Sequence, residues 1–254
     1  MVSLAGSGLD VGFTWSQNAE GAQATVATIE AMGRQAVSTQ LDLREPERVK
    51  PAMRELADEL GGVDVLVCNA GINRRAPALE ATEELWAEVL SINLTGPWLC
   101  ARALVGGMIE QGAGAGGRVV FVTSILGHEP LAGGGAYCAS KAGLEALAKV
   151  MALELAADRV LVNTVAPGHT ATPMNFGDDV PDARKTIQPV IPLGRPADPA
   201  EIAAAVSFLA SPEASYLTGS TLLVDGGLRL VSGPESLQRA TGLPPEREGG
   251  QRRR

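Results

Sequence analysis

The sequence predicts an α/β fold, a doubly wound parallel sheet with helices on both faces. Three observations carry that prediction. Segments of strand and helix pattern alternate along the chain, the helices running about 12–20 residues. Two strand segments, Val63–Cys68 (VDVLVC) and Arg118–Thr123 (RVVFVT), are nearly pure apolar runs, the mark of strands buried on both faces. Asn69, Ser124 and the pair Pro167-Gly168 stand at strand C-termini, the rim on which open α/β sheets bind ligands. A chain of 254 residues suffices for one such domain, and with 45% apolar but only 4% aromatic residues the packing falls to Ala, Val, Leu and Gly.

The elements follow in order. Residues 9–15 (LDVGFTW) read as a short strand and 18–32 as a helix, with Ala22, Val26 and Ile29 on one face and Gly33 as its stop. Residues 35–41 form a second strand closing on Asp42. Residues 46–60 are helical, and because Pro51 costs about 3 kcal/mol in a helix interior the regular helix is expected to begin near it. The strand at 63–68 ends in Asn69-Ala70-Gly71. A long helical stretch covers 82–110, broken at Asn93 and Pro97. The strand at 118–123 delivers Ser124 at its end, and a helix spans 136–156. A strand at 159–165 runs into Ala166-Pro167-Gly168, followed by a proline-rich loop to about 195, long enough to be a lid. Asp198 and Pro199 cap a helix at 198–210. Residues 221–224 are a last strand, closed by Asp225-Gly226-Gly227. Residues 1–231 are expected to form a single domain, and 232–254, rich in Gly, Pro, Glu and Arg, a disordered tail.

Composition excludes several classes. A net charge of −8 argues against a nucleic-acid protein, because phosphate binding needs a basic face. No apolar run reaches 18 residues, and Met1–Asp10 has neither a basic n-region nor an h-region, so neither a membrane span nor a secretory signal is expected. Cys68, Cys100 and Cys138 are far apart, odd in number and without metal spacing; they read as reduced thiols of a cytoplasmic protein.

The chemistry concentrates in Ser124–Lys141 (SILGHEPLAGGGAYCASK). Tyr137 and Lys141 are at i and i+4, on one helix face. A phenol of ordinary pKa about 10 is a poor acid or base near neutrality, and a neighbouring ammonium favours its ionised form. Tyr over Lys is thus one way to build a general acid/base. Alone, the YxxxK spacing is also met as one aromatic and one solvated lysine on a helix.

The wider set of motifs is similar to that of the classical short-chain dehydrogenase/reductase family. The matches are CNAG at 68–71, SINLTG at 91–96, VTSILG at 122–127, YCASK at 137–141, VNTVAPG at 162–168 followed by Thr172, and LTGSTLLVDGG at 217–227. They run in family order from about residue 9 to 230 and look nearest to 3-oxoacyl-carrier-protein reductases and to sugar or sugar-acid dehydrogenases. The resemblance implies a Rossmann-like sheet, an NADP (or NAD) cofactor, a small carbonyl or alcohol substrate and a homotetramer or dimer formed through the helices at 82–110 and 136–156 and the last strand. It implies a catalytic set of Asn93, Ser124, Tyr137 and Lys141: Tyr137 as proton donor to the carbonyl oxygen, Lys141 lowering its pKa and bonding the nicotinamide ribose, Ser124 on the substrate oxygen, Asn93 holding a relay water. Cofactor contacts are implied for Asp42, Asn69, Ala70, Gly71, Tyr137, Lys141, Pro167, Gly168, Thr170 and Thr172.

Plainer roles compete at several positions. Asp42 is either an adenine contact or the N-cap of the next helix. Asn93 is either catalytic or a helix-breaking side chain bonded to backbone. Asn163 is expected to support the sheet edge. His128 and His169 lie near the pocket as possible substrate contacts. Arg74 and Arg75 are either a solvated pair or a site for a substrate carboxylate or phosphate.

One expected feature is missing. The family opens with a strand, a TGxxxGxG turn and a helix whose N-terminus receives the pyrophosphate. Here Gly6–Gly12 spells GxGxxxG but lies directly before the strand LDVGFTW, so it is a decoy. The register matches the end of the first family helix and then the second strand. The fold is therefore expected to lack its first, central strand. Three accounts compete: a start site or fragment boundary that leaves that strand out, a natural truncation with a rearranged sheet, or Leu228–Val231 filling the gap. The second strand ends Thr14-Trp15-Ser16-Gln17 with no acid to hold a ribose 2′-hydroxyl, which favours NADP. A ketone/alcohol oxidoreductase is the first functional reading, with 3-oxoacyl thioester reduction or sugar-acid oxidation as variants; a non-catalytic descendant that has lost dinucleotide binding is the second.

Overall fold

The computed structural model describes residues 1–110, 116–176 and 190–231. The expected tail and the middle of the long loop lie outside these residues. In order, the elements are helix α1 (Val2–Gly6), strand β1 (Val11–Trp15), α2 (Ala19–Ala31), β2 (Ala36–Gln40), α3 (Pro46–Leu60), β3 (Val65–Cys68), α4 (Glu83–Leu90), a π-turn (Ser91–Thr95) and α5 (Gly96–Glu110). Then come β4 (Arg118–Val122), a 3₁₀ turn (Ile125–Gly127), α6 (Gly135–Leu155), β5 (Leu161–Pro167), the short α7 (Pro173–Phe176), α8 (Pro199–Ala210) and β6 (Thr221–Val224).

All strand pairs are parallel, as the alternation predicted, but the sheet is in two pieces. β1 pairs only with β2, and β3-β4-β5-β6 form a separate four-stranded sheet. The break falls where the resemblance placed the missing strand, so β1 and β3 are both edges. Leu228–Leu230 forms a 3₁₀ turn after β6, which overturns the idea that this segment fills the gap.

Strand β4 explains the layering. It is buried along its whole length, and its side chains alternate between two cores. Val119 and Phe121 join Leu104, Met108, Leu144 and Ala148 on the face covered by α3, α5 and α6. Val120 and Val122 meet Ile202, Val206 and Leu209 of α8 on the other. Each such buried apolar side chain contributes about 1.5–3 kcal/mol. A third cluster, Ala5, Val11, Phe13, Ala22 and Ile29, packs α1 and α2 onto β1.

Local signals account for most boundaries. Asn18 caps α2 by accepting from Gly21 N–H at 2.8 Å. Asp198 and Glu201 form a reciprocal capping box on α8, with Pro199 in its first turn. Asn163 ties β5 to the chain before β6, donating to Leu217 C=O at 2.8 Å and accepting from Ser220 N–H at 3.0 Å, as expected of a sheet-edge support.

Two expectations are corrected. Helix α3 begins at Pro46, not near Pro51, so Pro51 sits in the interior. Pro46 takes the first-turn position, and burial of Val49, Ala52, Met53 and Leu56 along one face outweighs the single missing backbone bond. The stretch 82–110 does break at Asn93, but through a π-turn; Pro97 is no breaker, being in the first turn of α5. Cys68 and Cys100, distant in the sequence, are buried side by side as free thiols. The neighbouring Cys100 thiol, followed by burial, pushes Cys68 well above its ordinary pKa.

Candidate active site

Three strand ends and one helix build the site. β4 ends at Val122, and Thr123 and Ser124 continue it to the sheet rim. Ser124 is extended (φ −167°), and its Oγ accepts from Leu126 N–H at 3.2 Å, which starts the 3₁₀ turn. Gly127 in that turn lies against α6: a Cβ there would come 3.1 Å from Ala142 N and 3.2 Å from Lys141 C. The turn therefore rests on the helix that carries Tyr137 and Lys141.

Tyr137, Lys141 and Glu145 form one column on α6, four residues apart. All three are buried. The Tyr137 side chain interacts with Ser124. Burial raises the Tyr137 pKa and the Ser124 interaction partly opposes it. The expected depression by Lys141 is thus not the governing effect. The Lys141 Nζ is turned to Val122 C=O at 2.8 Å and lies 5.8 Å from the Tyr137 ring centre. Burial pushes the Lys141 ammonium down to about 8.

Asn93 is fully buried in the π-turn. Its Oδ1 accepts from Ile72 N–H at 2.8 Å, and its Nδ2 donates to Ile72 C=O at 2.9 Å and to Ser140 Oγ at 3.1 Å. It therefore clamps the Asn69–Ile72 loop to α6, which is the backbone-bonded reading of this residue. A Cβ on Gly71 would come 3.3 Å from Asn93 Oδ1 and 3.4 Å from Lys141 Nζ, so Gly71 faces the same space as both. Asn93→Ala leaves Ile72 N–H and C=O unpaired in a half-buried loop. At about 1–3 kcal/mol per orphaned group it should lower Tm by several degrees, measured by calorimetry.

The remaining sequence-predicted residues divide. Asn69 and Ala70 are exposed on the rim beside Gly71, open to a ligand. Pro167 and Gly168 end β5, and Gly168 has a packing reason of its own, since a Cβ would meet Asp225 Cα at 2.7 Å. Thr170 is buried, bonded through its C=O to Asn175 Nδ2 at 2.8 Å; Thr172 is half-buried, its N–H on the same carbonyl. Asp42 is not the N-cap of α3, which is Glu45. Its carboxylate is gripped by the Arg44 side chain and accepts from Arg44 N–H, and those bonds hold its pKa below the ordinary range. His128 is drawn away from the rim to Glu145, with Nε2 2.9 Å from Oε2. Arg74 lies 3.6 Å from Glu88, whereas His169 feels the charge of Arg75. Sequence reasoning missed Thr123, Ser140 and Glu145. For Glu145 a signal existed, since it continues the Tyr137–Lys141 spacing by one more turn.

Gly71 lies close to both Asn93 Oδ1 and the Lys141 ammonium, with Asn69 and Ala70 exposed beside it on the rim. The segment Gly6–Gly12 does not supply a phosphate cradle. It joins the end of α1 to the start of β1, so it presents no helix N-terminus to a ligand.

Comparison with known proteins agrees with this geometry. The family described as enoyl-(acyl carrier protein) reductase matches residues 2–229. An uncharacterised oxidoreductase, YohF of Escherichia coli (strain K12), is 41% identical over 229 residues, covering 90% of this chain and 89% of that protein. The 3-oxoacyl-[acyl-carrier-protein] reductase FabG of Vibrio cholerae is 41% identical over 191 residues, 75% of this chain and 77% of its own. The crystal structure of acetoin dehydrogenase from Enterobacter cloacae superposes with a TM-score of 0.84 at 40% identity, covering 92% of this chain and 90% of that one. With the motifs, the parallel Rossmann-like sheet and Ser124 set beside the Tyr137–Lys141 face of α6, these matches make the chain a member of the short-chain dehydrogenase/reductase family, enzymes that interconvert ketones and alcohols.

Proposed function

We propose that this protein reduces a small ketone, or oxidises the matching secondary alcohol, with NADP, and that Tyr137, Ser124, Lys141 and Asn93 carry the proton side of the reaction. The observation that carries the reading is the convergence of Ser124, at the end of β4, with Tyr137 and the buried Lys141 on one face of α6. When bound, the nicotinamide supplies or accepts the hydride. Tyr137 Oη gives its proton to the carbonyl oxygen, and burial keeps it protonated at neutral pH for that purpose. Ser124 Oγ–H donates to the same oxygen and steadies its developing charge. Lys141 presents an ammonium to the ribose hydroxyls, while Asn93 fixes the loop bearing Asn69, Ala70 and Gly71. Pro167, Gly168, Thr170 and Thr172 border the carboxamide side, and Asp42 the adenine side. The β1 end, Trp15-Ser16-Gln17, has no acid to repel a 2′-phosphate. The active form is a homo-oligomer.

The test is reduction of a ketone panel including acetoin and an acetoacetyl thioester, followed by loss of NADPH absorbance with NADH in parallel. Turnover of a panel member with NADPH preferred supports the reading; failure with both coenzymes across the panel overturns it. One observation favours a second substrate class. Arg74 is occupied by Glu88, but Arg75 is ion-paired with none of the described residues and acts on half-buried His169. A substrate carboxylate suits that corner. If so, Arg75→Ala should raise KM for a hydroxy acid about tenfold or more while leaving a neutral ketone unaffected.

A further inference from the structure

We propose that Glu145 is a positioning residue that fixes Ser124 over Tyr137 by gripping the chain on both sides of it. This rests on the proposed role of Ser124 as a donor to the substrate oxygen. Glu145 is buried, and a carboxylate is costly in such a place unless it is paired. Its two oxygens are divided between two partners. Oε1 accepts from Thr123 Oγ1 at 2.9 Å, and Oε2 lies 2.9 Å from His128 Nε2. Thr123 is the residue before Ser124; His128 is the first after the 3₁₀ turn that Ser124 opens. One side chain of α6 thus holds both ends of the Ser124–Gly127 turn.

The grip has no slack on its strand side. Thr123 N–H donates to Val165 C=O at 2.7 Å, and Thr123 Oγ1 also lies 3.1 Å from that carbonyl. Thr123 is therefore fixed to β5 and to α6 together. On the turn side, His128 N–H donates to Ile125 C=O at 2.9 Å, so a pull on the ring is passed into the turn's backbone. The contact of Nε2 with Oε2 is close but out of line for a hydrogen bond. The helix column then meets one strand end at three points: Lys141 and Glu145 are hydrogen-bonded to Val122 and Thr123, and Tyr137 interacts with Ser124. Each contact comes from a successive turn of α6, so the distance between Ser124 Oγ and Tyr137 Oη is set by a rigid helix. A shift of about 1 Å there is enough to cost catalysis heavily.

The experiment is a double-mutant cycle between Glu145→Ala and Ser124→Ala, with Glu145→Gln as the conservative variant. Glu145→Ala should lower kcat about 10- to 100-fold while coenzyme Kd stays within about twofold. Glu145→Gln, which still accepts from Thr123, should restore kcat to within about threefold of wild type. In the Ser124→Ala background Glu145→Ala should cost less than about twofold further, because its effect passes through Ser124. Equal costs in both backgrounds, or a Glu145→Ala enzyme with unchanged kcat, would overturn the positioning role alone. An unchanged kcat in Ser124→Ala would overturn the reading of Ser124 and this proposal with it. If Glu145→Ala does not fold, His128→Ala, at the part-exposed end of the grip, enters the same cycle with the same expected outcomes.

Discussion

Tyr137→Phe is expected to lower kcat about a thousandfold with little change in stability or coenzyme affinity. General acid–base groups contribute 10²–10⁴ to rate, and the phenol is the group at this rim placed to move a proton. The ring is buried, and phenylalanine keeps the same ring. Only the hydroxyl is lost, together with its interaction with Ser124. Steady-state kinetics and a fluorescence titration with NADPH check the two halves of the statement. Activity unchanged by the substitution would remove Tyr137 from the mechanism. The direction of its pKa shift adds a second signature. Because burial holds the phenol protonated, ketone reduction should be well supported near neutrality, whereas alcohol oxidation, which needs the phenolate, should climb as pH rises. A pH profile measured in both directions tests this asymmetry.

Lys141→Met should abolish activity yet leave Tm unchanged or raised at pH 7. The ammonium is almost wholly buried, donates to the Val122 carbonyl at 2.8 Å, and is brought by burial from 10.5 to about 8. The sign follows from proton linkage. Below about pH 8 both folded and unfolded chains carry the proton, and the folded chain bears the whole cost of the buried charge. Between about 8 and 10.5 the unfolded chain binds the proton more often than the folded one, so stability rises with pH. A shift of this size corresponds to a cost on the order of 3 kcal/mol at neutral pH. Methionine removes that cost, offset in part by about 1 kcal/mol for the bond lost at Val122. Calorimetry from pH 7 to 10 should show a rising Tm in wild type and a flatter curve in the variant. A clear loss of stability at pH 7 would mean that Lys141 holds the fold together as well as serving the site.

The sequence made the parallel layers legible because β3 and β4 are short, apolar and bounded by polar rim residues. The column on α6 was half legible: Tyr137 and Lys141 are four apart and local, so spacing alone pairs them. Glu145 continues that spacing, but its meaning depends on Thr123, 22 residues away, and on His128, which looked like a pocket histidine until the chain folded. Cys68 and Cys100 likewise meet only when β3 and α5 pack. Pro51 was misread because propensity was weighed without the buried face of Val49, Ala52, Met53 and Leu56. The direction of the Tyr137 shift was misjudged for a similar reason. Burial, a property of the packed state, outweighs a neighbouring ammonium whose direction in space the sequence does not specify.

The π-turn at Ser91–Thr95 amounts to one surplus residue inside an otherwise regular helix. A residue advances a helix by about 100°. The surplus therefore sets the phase between two faces: Val89 upstream, and Cys100, Ala101, Leu104 and Met108 downstream, all turned into the core. Asn93 is aimed at Ile72 by the same rotation. Shortening the segment by one residue would close the turn into plain helix and force a choice, because the downstream stripe and the amide could no longer both face inward. What this stretch encodes is a count as much as a composition, and replacing its side chains one at a time would not expose it.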